Sequence, residues 1–229
     1  ASPALMRKCN ENNVNLSFFH NDSFCARMIG QENGNVVLRK IQYRLSEREG
    51  ESLAIARNMI LGKVHNERYV LERAIRDHAL RLDTEKLKDA SEQLKQYLRA
   101  VKDSGSSEEL RGYEGKAAST YFSVFDELIL QNKESFVFHG RNKRPPLDNV
   151  NAMLSFTYAL LVNECAGAAY SVGLDPYVGF LHTDRPGRQS LALDLMEEFR
   201  APVADRFVLT MINKQQINAR GFRKMESGA

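Results

Sequence analysis

The sequence predicts a mainly α protein, with a small β-rich stretch over residues 1–44 and a helical domain over residues 45–229. Two observations carry this reading. From about Ser46 onward apolar residues recur at helical intervals almost to the end, whereas strand-like runs are confined to the first segment. The second is a break: Asp103-Ser-Gly-Ser-Ser107 divides two helices from a later group of four.

In chain order, Pro3 to Asn12 reads as a short helix. Strands follow at roughly Val14 to Phe19 and Phe24 to Ile29, joined by the polar turn His20-Asn-Asp-Ser23. Asn33-Gly34 is a turn, and Val36 to Gln42 is either a third strand or the entry to a helix. So little sheet does not stand alone. Ser46-Glu-Arg-Glu49 has the pattern of a capping box opening a long helix to about Arg76, and Asp83 caps another to about Lys102. Beyond the break, helices are expected at roughly 108–132, 148–172, 189–200 and 202–217. Val150 to Tyr170 is apolar on all sides but interrupted by Asn151, Ser155, Asn163 and Glu164, which marks a buried core helix and not a membrane span.

Composition permits a real core, with 43% hydrophobic residues in 229. Thirty-two basic against 29 acidic residues leave a net charge of only +3, so any nucleic-acid surface must come from local clustering. Clusters exist at Arg141-Asn-Lys143-Arg144, at Arg185 and Arg188, and at Arg111 and Lys116; a solvated surface is the competing reading. Cys9, Cys25 and Cys165 have neither an even count nor metal-motif spacing, so a reducing cytoplasm is the expected compartment.

The stretch from Gly179 to Phe199 carries the chemistry. Pro186-Gly187 marks a turn after His182, and the following helix projects Asp194 and Glu197 from one side, roughly opposite Leu191, Leu195 and Phe199. Carboxylates so placed are ordinarily solvated, but Leu193 lies within about 40° of Glu197 around the helix, so that face meets protein or encloses a cleft. Upstream, Glu114 is in line with an apolar row at 118, 121, 125 and 128/129. A carboxylate aimed at the core must neutralise, find a cation or reach a metal; the alternative is an acid favoured by the first turn of a helix. His65 and His78 read as surface or packing residues, His139 as structural, and His20 as a hairpin-turn residue.

Four ordered blocks resemble the CRISPR-associated integrase family, the endonucleases that insert new spacers into the repeat array. They are Arg111-Gly-Tyr-Glu114-Gly-Lys-Ala-Ala-Ser-Thr-Tyr121-Phe, then Arg144-Pro-Pro-Leu-Asp148-Asn-Val-Asn151-Ala-Met-Leu-Ser-Phe-Thr-Tyr158, then Gly173-Leu-Asp-Pro-Tyr-Val-Gly-Phe-Leu-His182, and Ser190-Leu-Ala-Leu-Asp194-Leu-Met-Glu197. Leu61-Gly62-Lys63-Val-His-Asn66 is similar to a further family block, and the likeness is to the type I-C branch.

The resemblance implies metal ligands at Glu114, His182 and Glu197, with Asp194 as an auxiliary acid and Mg²⁺ or Mn²⁺ as the cation. It implies attack of a spacer 3′-hydroxyl on a phosphodiester at a repeat end, a transesterification, and a structural or DNA-contacting role for Lys63 and Asn66; beside such a site the charge clusters at Arg141, Lys143 and Arg144 and at Arg185 and Arg188 are the expected phosphate contacts. It also implies double-stranded DNA as substrate, a homodimer, the small second adaptation protein as partner, and an iron–sulfur nuclease that trims spacer ends. In the family a β-rich N-terminal domain precedes the helical catalytic domain, so residues 1–44 are expected to be a remnant of the first, and the chain a fragment short at both ends. A non-catalytic scaffold binding DNA or partner proteins, its acids merely paired with arginines, is the competing function.

Overall fold

The structure, a computed structural model, describes residues 1–12, 14, 16–20, 23–28 and 35–223. It is mainly α, as the sequence predicts. The elements are α1 (Pro3–Glu11), β1 (Leu16–His20), β2 (Ser23–Met28), α2 (Val36–Glu47), α3 (Glu49–His78), α4 (Thr84–Asp103), α5 (Ser107–Ser123), α6 (Asn149–Ser171), α7 (Ser190–Phe199) and α8 (Arg206–Asn213). Strands β1 and β2 pair antiparallel, with a bulge between Phe18 and Phe19. The centre of their turn and the Asn33-Gly34 turn lie outside the described residues.

Local chemistry sets several boundaries. The Val36–Gln42 stretch is helix and not strand: the Asn35 side chain accepts from Leu38 N at 3.1 Å and starts α2. The expected capping box at Ser46 does not form, because the Ser46 hydroxyl donates to Tyr43 O at 2.8 Å inside the last turn of α2. The break falls instead at Arg48, whose carbonyl accepts from Ser52 N at 2.8 Å as α3 begins. Asp83 does cap α4, accepting from Lys86 N at 3.1 Å. The helix expected to reach residue 132 stops at Ser123, and a 3-10 turn over Phe125–Leu128 then buries both end residues.

The chain forms two compact units, and the division between them falls within α3, α6 and α7. The first comprises residues 1–54 and 162–196. Its centre is Gln42 of α2, only 3% exposed. The Gln42 amide donates to Asp175 O and Val178 O at 2.8 and 2.9 Å and accepts from Asp175 N at 2.9 Å, so one side chain holds the loop that leads to His182. Arg39 reaches Gly173 O and Ser52 reaches Phe180 O, both at 3.1 Å, extending the same hold.

The second unit comprises residues 55–161 and 197–229. Its core is Ile60, Val64 and Leu71 of α3 with Leu87, Leu94, Leu110, Tyr121, Phe125, Leu154 and Ile212, all fully buried. By length and composition α6 is apolar enough to cross a membrane. Its Asn151 is nonetheless 0% exposed, and its side chain bonds to Gly140 O, Asp148, Asn142 N and Arg141, pinning the start of the helix to the preceding loop.

The register change after α7 has a cause. Pro202 lacks an N–H, so the carbonyl four residues back, Glu198 O, loses its helical donor, and residues Arg200–Asp205 run as π-helix before α8 resumes. The Asn66 amide of α3 fills the gap, donating to Glu198 O at 2.8 Å. Gly62 lies close to the same turn: a Cβ there would be 2.8–2.9 Å from three atoms of the Glu198 side chain, which would have to swing aside. Replacing Asn66 with Ala should therefore lower unfolding free energy by about 1–2 kcal/mol, read by urea denaturation. A wild-type midpoint would mean that another donor had taken that carbonyl.

Candidate functional site

Helix α3 presents Ala56, Ile60, Val64 and Leu71 to the core of the second unit, and on the same buried row it carries Lys63 and Glu67, each 3% exposed. A buried ammonium needs counter-charge. Lys63 Nζ lies 2.8 Å from Glu197 Oε2 and also pairs with Glu114 Oε1, so two carboxylates from different helices share one nitrogen. Burial alone would push the Lys63 ammonium down, but Glu197, Glu67 and Glu114 together outweigh it and hold it above its ordinary value. Glu197 is closed on its other side by Arg200, Nη2 to Oε1 at 2.9 Å.

A pocket of ≈ 500 Å³ in the same unit opens onto Lys63, Glu67, Glu114, Lys143 and Arg200. Its wall includes Tyr158, whose hydroxyl donates to the buried Asp205 at 2.6 Å and whose ring packs against the guanidiniums of Arg141 and Arg200, 5.3 and 5.2 Å from the centroid. Burial pushes Asp205 up to about 6 against the lowering effect of the Tyr158 hydrogen bond. Lys143 is pulled down, first by partial burial and then by the like charges of Arg200 and Arg141, which makes this wall of the pocket electropositive.

In the first unit, Asp194 is 0% exposed and His182 is half-buried beside it. Asp194 Oδ2 accepts from Phe180 N and Leu181 N at 2.6 and 3.0 Å, while Oδ1 accepts from His182 N at 3.0 Å and meets His182 Nδ1 at 2.5 Å. A carboxylate ringed by donors places the imidazole N–H on Nδ1, an arrangement that in the neutral ring puts the lone pair on Nε2. Gly179 makes room: a Cβ there would lie 2.8 Å from Asp194 Oδ2 and 2.9 Å from the Ser190 backbone carbon.

The predicted site residues thus fall into two groups. Glu114 and Glu197 meet on Lys63 in the second unit, and His182 meets Asp194 in the first. Glu114 lies well past the first turn of α5, which removes the helix-start reading of its charge. The apolar stripe expected on α7 is corrected at its end: Phe199 is 45% exposed, whereas Asp194 and Glu197 on the opposite side are buried, with hydrogen bonds and cations satisfying them. Among the described residues no group of three or more His, Cys, Asp and Glu side chains is gathered to hold a metal.

Of the expected DNA-contacting residues, Lys63 is buried between carboxylates, and Arg141 is tied to Asn151 Oδ1 and Ser155 Oγ at 2.7 and 3.1 Å. Lys143, Arg144 and Arg185 are exposed, and Arg188 is half-buried. Sequence reasoning missed Lys63 as the partner of the two acids, and missed Glu67, Arg200, Tyr158 and Asp205 altogether. For Lys63 and Glu67 the signal existed, since both interrupt the apolar row Ala56, Ile60, Val64, Leu71.

Comparison with known proteins gives a consistent likeness. The family model described as CRISPR associated protein Cas1 matches residues 1–229. The CRISPR-associated endonuclease Cas1 1 of Chlorobaculum tepidum is 45% identical over 229 residues, covering 100% of this chain and 67% of that protein. The CRISPR-associated endonuclease Cas1 2 of Rhodospirillum rubrum is 47% identical over 233 residues, again covering 100% and 67%. Among solved structures, a casposase bound to integration product superimposes with a TM-score of 0.80 at 30% identity, covering 97% of this chain and 60% of that one. The chain therefore spans about two thirds of the length of these curated relatives.

The buried carboxyl of Glu67 gives the site a pH signature. Burial pushes it up to about 8 from about 4.5, Lys63 opposes this, and Asp205, Glu197 and Glu114 add to it; Oε2 has no hydrogen-bond partner among the described residues. A folded-state value above the unfolded one means that stability is fully present below pH 4.5 and is lost as pH rises through 8. Glu67→Gln should flatten this fall, making the variant more stable than wild type by on the order of 1–3 kcal/mol at pH 8.5 but not at pH 4.5. Denaturation across that range checks it, and parallel profiles would contradict it.

Proposed function

The chain belongs to the Cas1 family of CRISPR-associated proteins, and from that premise we propose that it is a metal-dependent DNA endonuclease and integrase of CRISPR adaptation. The reaction is attack of a spacer 3′-hydroxyl on a phosphodiester at a repeat end. The observation that carries this reading is the pair of carboxylates, Glu114 and Glu197, that share the Lys63 ammonium beside a pocket lined by Lys63 and Glu114.

That donor set fits a hard divalent cation, since the carboxylates already face a cation in the Lys63 ammonium. Glu114, His182 and Glu197 are the proposed ligands and Mg²⁺ or Mn²⁺ the metal. Bound there, the cation supplies Lewis-acid stabilisation of the attacking and leaving oxygens. The protein's own groups do the rest. Asp194 orients the His182 ring through Nδ1, and Arg200 fixes Glu197 through its other oxygen. Lys143 and Arg144 are exposed, with Lys143 on the electropositive pocket wall, and Arg185 is exposed near His182; these and Arg188 are proposed to take DNA phosphates.

The same reading extends to a homodimer with the small second adaptation protein, an iron–sulfur nuclease as an accessory partner, and a cytoplasmic location. Residues 1–44 would be the end of a β-rich domain and 45–229 a helical catalytic domain. The competing scaffold draws on the Arg200–Glu197 pair, in which an acid is simply neutralised.

A strand-transfer assay on a repeat-containing plasmid, with the second adaptation protein supplied, separates them. Wild type should yield joined product that depends on Mg²⁺ or Mn²⁺, and Glu197→Ala should lower it by about 10²-fold or more, given several kcal/mol of lost charge stabilisation. Equal product from both would remove Glu197 from the chemistry. DNA binding without metal-dependent product in wild type would favour the scaffold.

A further inference from the structure

We propose that Lys63 is the resident counter-ion of the candidate metal site: it holds Glu114 and Glu197 together while no metal is bound, and yields to an entering divalent cation by moving to Glu67. The proposal rests on the metal reading above.

Three features of the second unit lead to it. Lys63 Nζ engages an oxygen of each carboxylate, Glu197 Oε2 at 2.8 Å and Glu114 Oε1, so a divalent cation held by those acids would contend with the ammonium for them. Without Lys63 the two like charges would repel inside the fold or one carboxylate would have to take up a proton, a cost the ammonium removes. Glu67 sits four residues further along α3, one turn away on the same buried face, and its Oε2 is buried with no hydrogen-bond partner among the described residues.

The exchange also has room. Lys63, Glu67 and Glu114 all line the ≈ 500 Å³ pocket, so the ammonium need not cross packed side chains to change partner. Glu114 is the more open of the two acids, with 27% of its side chain exposed against 3% for Glu197, so a cation arrives on the Glu114 side. Arg200 stays with Glu197 Oε1 throughout and keeps that carboxylate in place during the exchange. Lys63 is in this sense a positioning residue: it shapes the site and sets the threshold for metal entry without touching the DNA.

The test reads metal binding and stability, not activity. Mn²⁺ affinity, by titration calorimetry and by loss of the free-ion paramagnetic resonance signal, and thermal melting with chelator or Mn²⁺ are compared for wild type, Lys63→Met, Lys63→Arg and Lys63→Met/Glu114→Gln. Lys63→Met should melt below wild type in chelator, bind Mn²⁺ at least about tenfold more tightly, and recover its melting temperature when Mn²⁺ is added. Lys63→Arg should stay near wild type in chelator because the charge remains. The double variant should regain stability in chelator but lose the tight Mn²⁺ binding.

Lys63→Met that binds Mn²⁺ no more tightly than wild type, or that melts like wild type in chelator, overturns the counter-ion role and leaves the metal reading standing. A Lys63→Met that stays unfolded even with Mn²⁺ while Lys63→Arg folds also overturns it, since the lysine is then purely structural. No Mn²⁺ binding by any protein, wild type included, overturns the metal reading itself.

Discussion

An ionised carboxylate taken out of water must gain a cation, a proton or a full set of donors, and the second unit applies all three remedies within one cluster. Glu114 and Glu197 gain the Lys63 ammonium, and Glu197 gains Arg200 as well. Burial pushes the Glu67 carboxyl up to about 8, toward its protonated form. Asp205 gains the Tyr158 hydroxyl, and the Tyr158 ring in turn supports the guanidinium of Arg200. These groups come from α3, α5, α6, α7 and the π segment, so the cluster ties together the elements that form the unit. Local irregularities are subordinate to it: Gly62 leaves room for the Glu198 side chain, and Asn66 compensates the carbonyl that Pro202 abandons.

The first unit answers the same constraint differently. Asp194 is more deeply buried than Glu114, yet among the described residues no lysine or arginine bonds to it; three backbone N–H groups and one imidazole nitrogen do. Such a carboxylate has its lone pairs committed and is poorly placed to be a ligand in its own right. Its effect is on His182, whose ring it orients. The Gln42 amide performs the parallel task for the backbone leading there, and Gly179 lets that backbone close over Asp194. Both units thus spend buried polar groups on geometry more than on stability.

How much of this was legible in the sequence depends on the range of the interaction. Helices announce themselves within a dozen residues, so α4, α6 and α7 lie close to their expected bounds, and the Asp83 cap is visible because its acceptor and donor are three residues apart. Ser46 shows the limit: its pattern fits a cap, but whether α2 has ended by then depends on packing elsewhere. Glu114 was readable as a problem, a charge on an apolar row, while its solution was not, because Lys63 lies 51 residues away. The resemblance to a known family supplied roles for single residues. It could not show that Arg141 turns inward to Asn151 and Tyr158, since an exposed and a packed arginine read alike in sequence.

The charge arithmetic closes on the same point. A net charge of +3 says little about nucleic-acid binding, because cations already committed to carboxylates attract no phosphate. Lys63 and Arg200 are committed to Glu114 and Glu197, and Arg141 to Asn151 and Ser155. Lys143 differs: it lies on the same pocket wall with part of its side chain exposed, and its charge is disfavoured first by partial burial and then by its cationic neighbours. An anion brought to that wall would relieve the repulsion among Lys143, Arg141 and Arg200 at once. The pocket therefore sorts its charges by depth, with Lys63 and Arg200 assigned to the carboxylates and Lys143 at the surface without a carboxylate partner among the ion pairs described.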